Sequence, residues 1–577
     1  MHNNWLRDFR HRLADAGSLL HLSILGVISG ISCSLVILAF RFIIEAPSAL
    51  WLPDHNPDNF EALPTWLHFA LPLIGALLIG LALRKMASAD IRVGVPHVIT
   101  RLHAYHGHLP AKNALVQFFA GAFAIATGQS GGREGPAIHL GAAANSLLGQ
   151  KLLLPNNSLR VLVGCGTAAA IAASFNTPIA GVIFAMEVIM MEYTIAGFTP
   201  VILAAITGTA LTRAVYGSET LFAIPTLEMA SLWELPFIAF LGLITGACAS
   251  LFILILKSAL RLNDQPILLR MFIAGSITAT CALLVPEVMG IGYDTVNDAL
   301  SSQLPLSLLL AIIAAKILAT ATSSGLGMPI GLIGPNLLIG ACIGSALGAL
   351  GELVFPELTS SRSFYVMLGM AAMMGAVLNA PLAALMALLE MSNNTSMIFP
   401  AMLAITVATL TNSEIFKQRS AHQTALLQLK QRLATDPVSL ALQRTSVATI
   451  MQRDITRTNN LLSGHEAKEL LLKPCQWYFI DDKDQKRLRL IQKKELVENL
   501  ETTLGDAASH NIDLLSLGTY SQPVINCHIQ ATLREALSIM DHRGVDAVYV
   551  SGYISDPYPD DGIVTRTDIE RYYNTPQ

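Results

Sequence analysis

Charge is what this chain lacks. Only 14% of its 577 residues are Asp, Glu, Lys or Arg, while 53% are hydrophobic and mean hydropathy is +0.52. A soluble domain carries about a quarter charged residues, so most of this sequence belongs in a bilayer. A net charge of −4 gives no basic footprint, and no nucleic-acid partner is expected. The seven cysteines (Cys33, Cys165, Cys248, Cys281, Cys342, Cys475, Cys527) are scattered with no CxxC, which argues against a disulfide framework or a zinc site. Five lie in apolar segments and read as small buried hydrophobes. There is no H-E-x-x-H and no Ser/His pair at matching depth, so an intramembrane enzyme is not expected. Carboxylates are scarce in the apolar segments, which argues against a cation transporter. The His103-Ala-Tyr-His106-Gly-His108 stretch has no Cys or acidic ligand beside it and reads as a solvated loop. No metal or other resident cofactor is implied.

What is there is long apolar sequence from about residue 18 to 412, followed by soluble sequence from 413 to 577. The clearest spans are Leu19–Ile44, Trp66–Leu83, Leu232–Leu256 and Leu269–Pro286, each near the ~20 residues a bilayer requires. Shorter or interrupted runs follow the pattern Ala114–Gln129, Ala137–Gln150, Val161–Ser174, Pro178–Met191, Pro329–Leu350 and Pro381–Met391. Helices too short to span imply irregular backbone at depth, tolerated only where protein or a wet cavity satisfies it. Arg7, Arg10 and Arg12 precede the first run, and no A-x-A-like site ends it. This predicts a retained first helix with a cytoplasmic N-terminus, and Arg84 and Lys85 agree.

One ionised pair sits inside this apolar sequence, among glycines: Gly131-Gly132-Arg133-Glu134-Gly135-Pro136. Charge at membrane depth is expensive and functional by default. Part of the pattern recurs. Gly132-x-x-Gly135-Pro136 matches Gly331-x-x-Gly334-Pro335, and Gly141-Ala142 matches Gly340-Ala341, 199 residues on. Asn176-Thr-Pro178-Ile-Ala180 matches Asn379-Ala-Pro381-Leu-Ala383, 203 residues on, with Glu187 against Glu390 and Gly166 against Gly369. Repeated interrupted helices place a binding site between two halves, about 18–216 and 232–412. The sequence leaves open whether the halves are inverted. Helix N-termini aimed at one point would hold an anion by backbone N–H groups, with glycine allowing close approach. Residues 413–444 read as a linker, and 445–577 as two modules. The first runs from Val447 through strand Gln476–Ile480 to a helix near Glu495. The second runs from Pro523 through helix Thr532–Arg543, strand Ala547–Val550 and loop 556–561 to Ile563–Ile569.

Gly132-Arg133-Glu134-Gly135-Pro136, the Asn176–Gly181 segment and Gly331–Pro335, in that order, resemble the CLC family of chloride channels and chloride/proton antiporters. The two C-terminal modules are similar to a tandem CBS pair. The resemblance implies an all-α polytopic membrane domain of two inverted halves with broken helices, then a cytosolic α/β CBS pair. It also implies a homodimer in the inner membrane with both termini cytoplasmic, and one chloride pore per subunit. By it, Glu134 is the gate and proton acceptor, and the anion site draws on Gly94, Val95, Gly132, Arg133, Gly135, Gly331, Leu332, Ile333 and Phe416. Thr565 and Asp568 match a motif that can hold the ribose of an adenine nucleotide, and they also read as a helix cap. The chain departs from the family at Val93, where a serine is usual, at Ile333, where an aromatic is common, and at Phe416, aligned with a pore tyrosine. It departs again at Val188, where family antiporters commonly carry a second acid. Valine cannot relay a proton, so passive channel-like flux is expected, with chloride/proton exchange by a non-standard proton path as the alternative.

Overall fold

The computed structural model describes residues 13, 18–53, 56–217, 222, 228–354, 359–429, 437–473, 475–482, 487–494, 496–497, 512–514, 522–523, 525–552 and 562–574. Arg7, Arg10, Arg12, Glu495 and the 556–561 loop lie outside them. The chain divides into two units. One comprises Leu22–Lys151 and Leu159–Leu433; the other comprises Met1–His21, Leu152–Ser158 and Ala434–Gln577.

The larger unit is helical. Its helices begin α1 (Leu19–Trp51), α2 (Thr65–Leu83), α3 (Gly94–Ala104), α4 (Ala111–Ala126), α5 (Glu134–Lys151), α6 (Asn156–Phe175), α7 (Pro178–Phe184) and α8 (Ile195–Tyr216). They continue with α9 (Leu235–Leu260), α10 (Ile267–Leu284), α11 (Tyr293–Leu300), α12 (Leu306–Gly325), α13 (Ile333–Val354), α14 (Arg362–Leu378), α15 (Pro381–Ser392), α16 (Ile398–Leu410) and α17 (Ala421–Gln428). α7 and α16 run on into π-helical turns, Ala185–Met190 and Thr411–Ile415. Among the described residues, nine helical segments are long and apolar enough to cross a bilayer. The four long spans read from the sequence are among them; α8, α12 and α16 are added, where Thr, Gly, Pro or Lys residues interrupt the apolar run. α14 buries every residue from Ser363 to Leu378, whereas α1 turns Leu20, Leu35 and Phe42 outward, as a lipid-facing helix does.

Equivalent residues of the two halves do equivalent things. In the first half α5 meets α6 at Gly141 and Gly166. A Cβ on Gly166 would lie 2.2 Å from the Gly141 carbonyl oxygen. In the second, α13 meets α14 at Gly340 and Gly369, where the same distance is 2.2 Å. Small residues let membrane helices approach this closely. The halves also exchange caps. The N–H groups of Leu382 and Ala383, in the first turn of α15, donate to Glu187 at 3.3 and 2.8 Å. Those of Ile179 and Ala180, in the first turn of α7, donate to Glu390 at 2.9 and 2.7 Å. Each carboxylate satisfies donors that the helix itself leaves unpaired. A contact in which i meets j and its equivalent j meets i is what two-fold pairing produces.

The smaller unit holds two modules of the same strand and helix order. In the first, β1 (Ile455–Asn459) pairs parallel with β3 (Trp477–Asp482) across helix Gly464–Leu472, and β3 pairs antiparallel with β4 (Arg487–Gln492). β6 (Gln522–Pro523) joins the far edge of β4, and β2 (Leu461–Leu462) pairs with β5 (Ile512–Asp513). In the second, β7 (Ile525–His528) pairs parallel with β8 (Ala547–Ser551) across helix Leu533–Arg543, and β8 pairs antiparallel with β9 (Gly562–Thr565). Parallel neighbours need such a crossover. Both crossover helices start in a capping box, Ser463 with Glu466 and Thr532 with Glu535. Phe479 and Leu490 of the first module pack with Ala547, Tyr549 and Ile563 of the second.

A side chain at Gly340 has no room, because its Cβ would lie 2.3 Å from the Gly369 carbonyl oxygen. Gly340→Val is expected to destabilise the protein by roughly 1–3 kcal/mol or more, read as a lowered thermal midpoint in detergent. An unchanged midpoint would show that α13 and α14 do not pack through this contact.

Candidate functional site

The site is built on two glycine turns. Gly132 N–H donates to the Gly331 carbonyl at 2.9 Å, and Gly331 N–H donates back to Gly132 at 2.7 Å. No side chain fits between them: a Cβ on Gly135 would lie 2.6 Å from Gly331 Cα. A third turn joins the pair, with Gly131 N–H donating to the Gly290 carbonyl at 3.3 Å. Lys316 fixes that turn. Its Nζ, fully buried, donates to the carbonyls of Val288 and Gly290 at 2.9 and 3.0 Å. These bonds satisfy irregular backbone at a depth where water cannot.

Glu134 opens α5 and is 0% exposed. Its Oε2 accepts the N–H of Gly334, in the first turn of α13, at 3.3 Å. Its Oε1 accepts the hydroxyl of Tyr293, the first residue of α11. The carboxylate thus rests at the N-terminus of a helix from the other half, where an anion is favoured. Gly132 makes the seat possible, since a Cβ there would lie 2.1 Å from Glu134 Oε2. Arg133 turns elsewhere. Its Nη1 pairs with Glu45 at 2.5 Å, Glu45 also takes Arg41 at 3.1 Å, and the Arg133 guanidinium stands 5.6 Å from the Tyr293 ring centre. The adjacent charges of Arg133 and Glu134 therefore serve different partners.

A cavity of about 1130 Å³ reaches the other side of these turns. Gly94, Val95, Gly135, Gly331 and Leu332 line it, so five of the nine anion-site positions read from the sequence share one space. Arg84, Arg92, Arg101 and Arg270 outnumber Asp264 in its wall, a bias that concentrates anions. Val93 stands at the N-cap of α3 and offers no side-chain cap, so the first turn keeps only backbone donors. Gly94 N–H is taken by Gln117 Oε1 at 2.8 Å, and Gln117 Nε2 donates to the Pro329 carbonyl at 3.0 Å, tying α3 to the turn before α13.

Gly132, Arg133, Ile333 and Phe416 are not in the cavity wall. Gly132 and Gly331 bond their N–H groups to each other, so their part is close packing rather than donation to an anion. Ile333 lines a separate apolar void of about 10 Å³ with Phe175 and Phe184. Phe416 is 44% exposed and is not in the cavity wall; α17, a turn later, supplies Ala421, His422 and Ala425 to it instead. Phe416 directly follows the π-turn Thr411–Ile415. In the smaller unit, Thr565 Oγ1 donates to Asp568 Oδ2 at 2.6 Å and Asp568 N–H donates to Thr565 Oγ1 at 3.2 Å, the helix-cap arrangement.

Several ionisable groups were not legible as site residues. Lys316 is buried inside α12, in one of the apolar segments. Tyr293 gave no signal, because its role depends on a turn distant in sequence. His97 and His139 are buried on α3 and α5, with 3.1 Å between Nδ1 of the first and Nε2 of the second. On the loop between α1 and α2, burial pushes Asp58 up to about 6 and Glu61 up to about 8, with the Asp294 charge adding to both. Among the described residues, no group of three or more His, Cys, Asp or Glu side chains is placed to hold a metal.

A family model described as "Voltage gated chloride channel" matches residues 75–413. The chain is 31% identical over 393 residues to a ClcB-like chloride channel protein of Ralstonia nicotianae, covering 66% of this chain and 91% of that one. It is 27% identical over 418 residues to the H(+)/Cl(−) exchange transporter ClcA of Vibrio campbellii, covering 70% and 88%. Its fold is similar to that of a slow cyanobacterial Cl−/H+ antiporter, with a TM-score of 0.61 at 21% identity over 73% of this chain and 97% of the other.

A carboxyl whose folded pKa is raised is neutral when seated, and its contribution to stability fades as pH climbs from the unfolded value through the folded one. For Glu61 that window runs from 4.5 to about 8. Glu61→Gln is therefore expected to raise the thermal midpoint at pH 9 and leave it unchanged at pH 4, measured in detergent. Equal midpoints at pH 9 would place Glu61 in water.

Proposed function

The chain belongs to the voltage gated chloride channel family, and we propose that it exchanges chloride for protons, with Glu134 as both gate and proton acceptor. The seat of the Glu134 carboxylate carries this reading. It lies on the Gly334 N–H at the mouth of α13, the place a chloride ion would take. Ionised, the side chain competes with the anion. Protonated, it loses the attraction of the helix end, leaves, and carries one proton with it. Gate and proton acceptor are then one group, which is what couples the two fluxes.

The Tyr293 hydroxyl and the Gly334 N–H hold the closed state, and Arg133 stays with Glu45 instead of neutralising the gate. The arginine-rich cavity that reaches Gly135 supplies chloride from the other side. Similarity to a protein named as an exchange transporter supports exchange over passive flux. Passive flux, which Val188 favours on sequence alone, is the second reading. By the same proposal the halves are inverted with respect to the membrane, two copies associate with one pore each, and the N- and C-terminal segments lie on the cytoplasmic side. The two β-α-β-β modules act as a CBS pair; the Thr565–Asp568 cap leaves an adenine nucleotide there as a proposal only.

With purified protein in liposomes under opposed chloride and pH gradients, the reversal potential is expected to follow both gradients. Glu134→Ala is expected to keep chloride flux and lose the response to pH. A wild-type potential set by chloride alone would establish the passive reading. Tyr293→Phe removes one hydrogen bond to a charged seat, a contribution of roughly 1.5 kcal/mol. Chloride efflux at neutral pH is expected to rise about tenfold as the gate leaves more often; an unchanged rate would show that the hydroxyl does not hold the gate.

A further inference from the structure

Proton exchange needs a route to Glu134, and Val188 offers none. Val188 lies on the π-turn Ala185–Met190, which packs against α3. The same helix carries His97, which lines the arginine-rich cavity while being only 7% exposed. His97 Nδ1 lies 3.1 Å from Nε2 of His139, on α5, the helix that Glu134 heads. His139 is 0% exposed.

The hydrogen bonds have a direction. Arg101 Nε can only donate, and it lies 3.3 Å from His97 Nε2. His97 Nε2 is therefore the acceptor and its proton sits on Nδ1. That proton faces His139 Nε2, so the remaining His139 proton sits on Nδ1. His139 Nδ1 is buried and has no hydrogen-bond partner among the described residues. A buried N–H left open calls for water or for a proton acceptor that arrives and leaves.

We propose that His97 and His139 are the proton relay between the cavity and Glu134, resting on the exchange reading above. In one pass a hydronium ion in the cavity gives a proton to His97 Nε2 as Arg101 yields, and leaves as water. The Nδ1 proton of His97 moves to His139 Nε2, and the Nδ1 proton of His139 leaves towards Glu134. Each ring gains one proton and loses one, so both end neutral, and tautomer exchange restores the start. Five residues separate His139 from Glu134 along α5, a rise of about 7.5 Å. That exceeds one hydrogen bond, so the proposal includes a short water chain past Gly135, which the cavity touches.

The surrounding charges keep the proton moving. Arg92 precedes α3, and Arg101 and His103 lie on it. Arg160 of α6, whose Nη1 donates to the Leu102 carbonyl of α3, His422 of α17, Glu187 of the π-turn, Lys151 of α5, Lys112 of α4 and Glu352 of α13 are charged or titratable groups on the elements packed around the pair. Glu187 is engaged at Leu382 and Ala383. The nearby cations thus disfavour a parked imidazolium without blocking a transient one.

The test uses the full chain in liposomes and reads protons moved per chloride. His139→Gln keeps a polar side chain of similar reach but cannot pass a proton. The proton-to-chloride ratio is expected to fall roughly tenfold or more, with the reversal potential moving to that of chloride, whatever the absolute chloride rate. His97→Gln, on the cavity wall, is expected to give the same loss and decides the matter where His139→Gln does not fold. A wild-type ratio in both variants, or in His97→Gln alone where only that variant folds, overturns the relay and leaves exchange standing. A wild-type chain with no proton coupling overturns exchange and the relay together.

Discussion

Gly132 and Gly331 donate to each other across the centre of the larger unit, and the rest of the site hangs on that exchange. Two turns whose backbone would otherwise be unpaired in an apolar setting satisfy one another. The contact admits no side chain on either glycine. Because the turns touch, α5 and α13 start side by side, and a carboxylate at the head of one reaches the first-turn N–H of the other. Separate the glycines and Glu134 would lose the Gly334 N–H.

The halves repeat a scaffold but not its chemistry. Gly141 on Gly166 and Gly340 on Gly369 are the same helix contact made twice, and Glu187 and Glu390 cap each other's half. At the glycine turns the second copy replaces Arg133-Glu134 with Leu332-Ile333. One half thus supplies an acid and the other a helix end that receives it. The asymmetry matters physically, since two carboxylates at one anion seat would repel both the ion and each other.

Around this centre the ionisable side chains divide by duty. Lys316 and Gln117 bond backbone and hold turns in place. Tyr293 touches the Glu134 carboxylate directly. The cavity arginines set the sign of the field. The paired imidazoles join α3, which the cavity reaches, to α5, which Glu134 heads.

The sequence by itself determined the membrane class, the four longest spans, the repeat and the identity of Glu134 as the one acid among glycines. Those are properties of composition and short-range order: apolar length, residue spacing, and the expense of charge in hydrocarbon. It also determined that Arg133 and Glu134 stand side by side, but not that they part company for Glu45 and Tyr293. Tertiary structure alone decided those partners, the burial of Lys316 inside α12, the displacement of Phe416 from the cavity, and the meeting of His97 with His139. Each of these depends on elements dozens to hundreds of residues apart being brought within one hydrogen bond, and hydropathy carries no record of which polar side chains will face each other once helices pack.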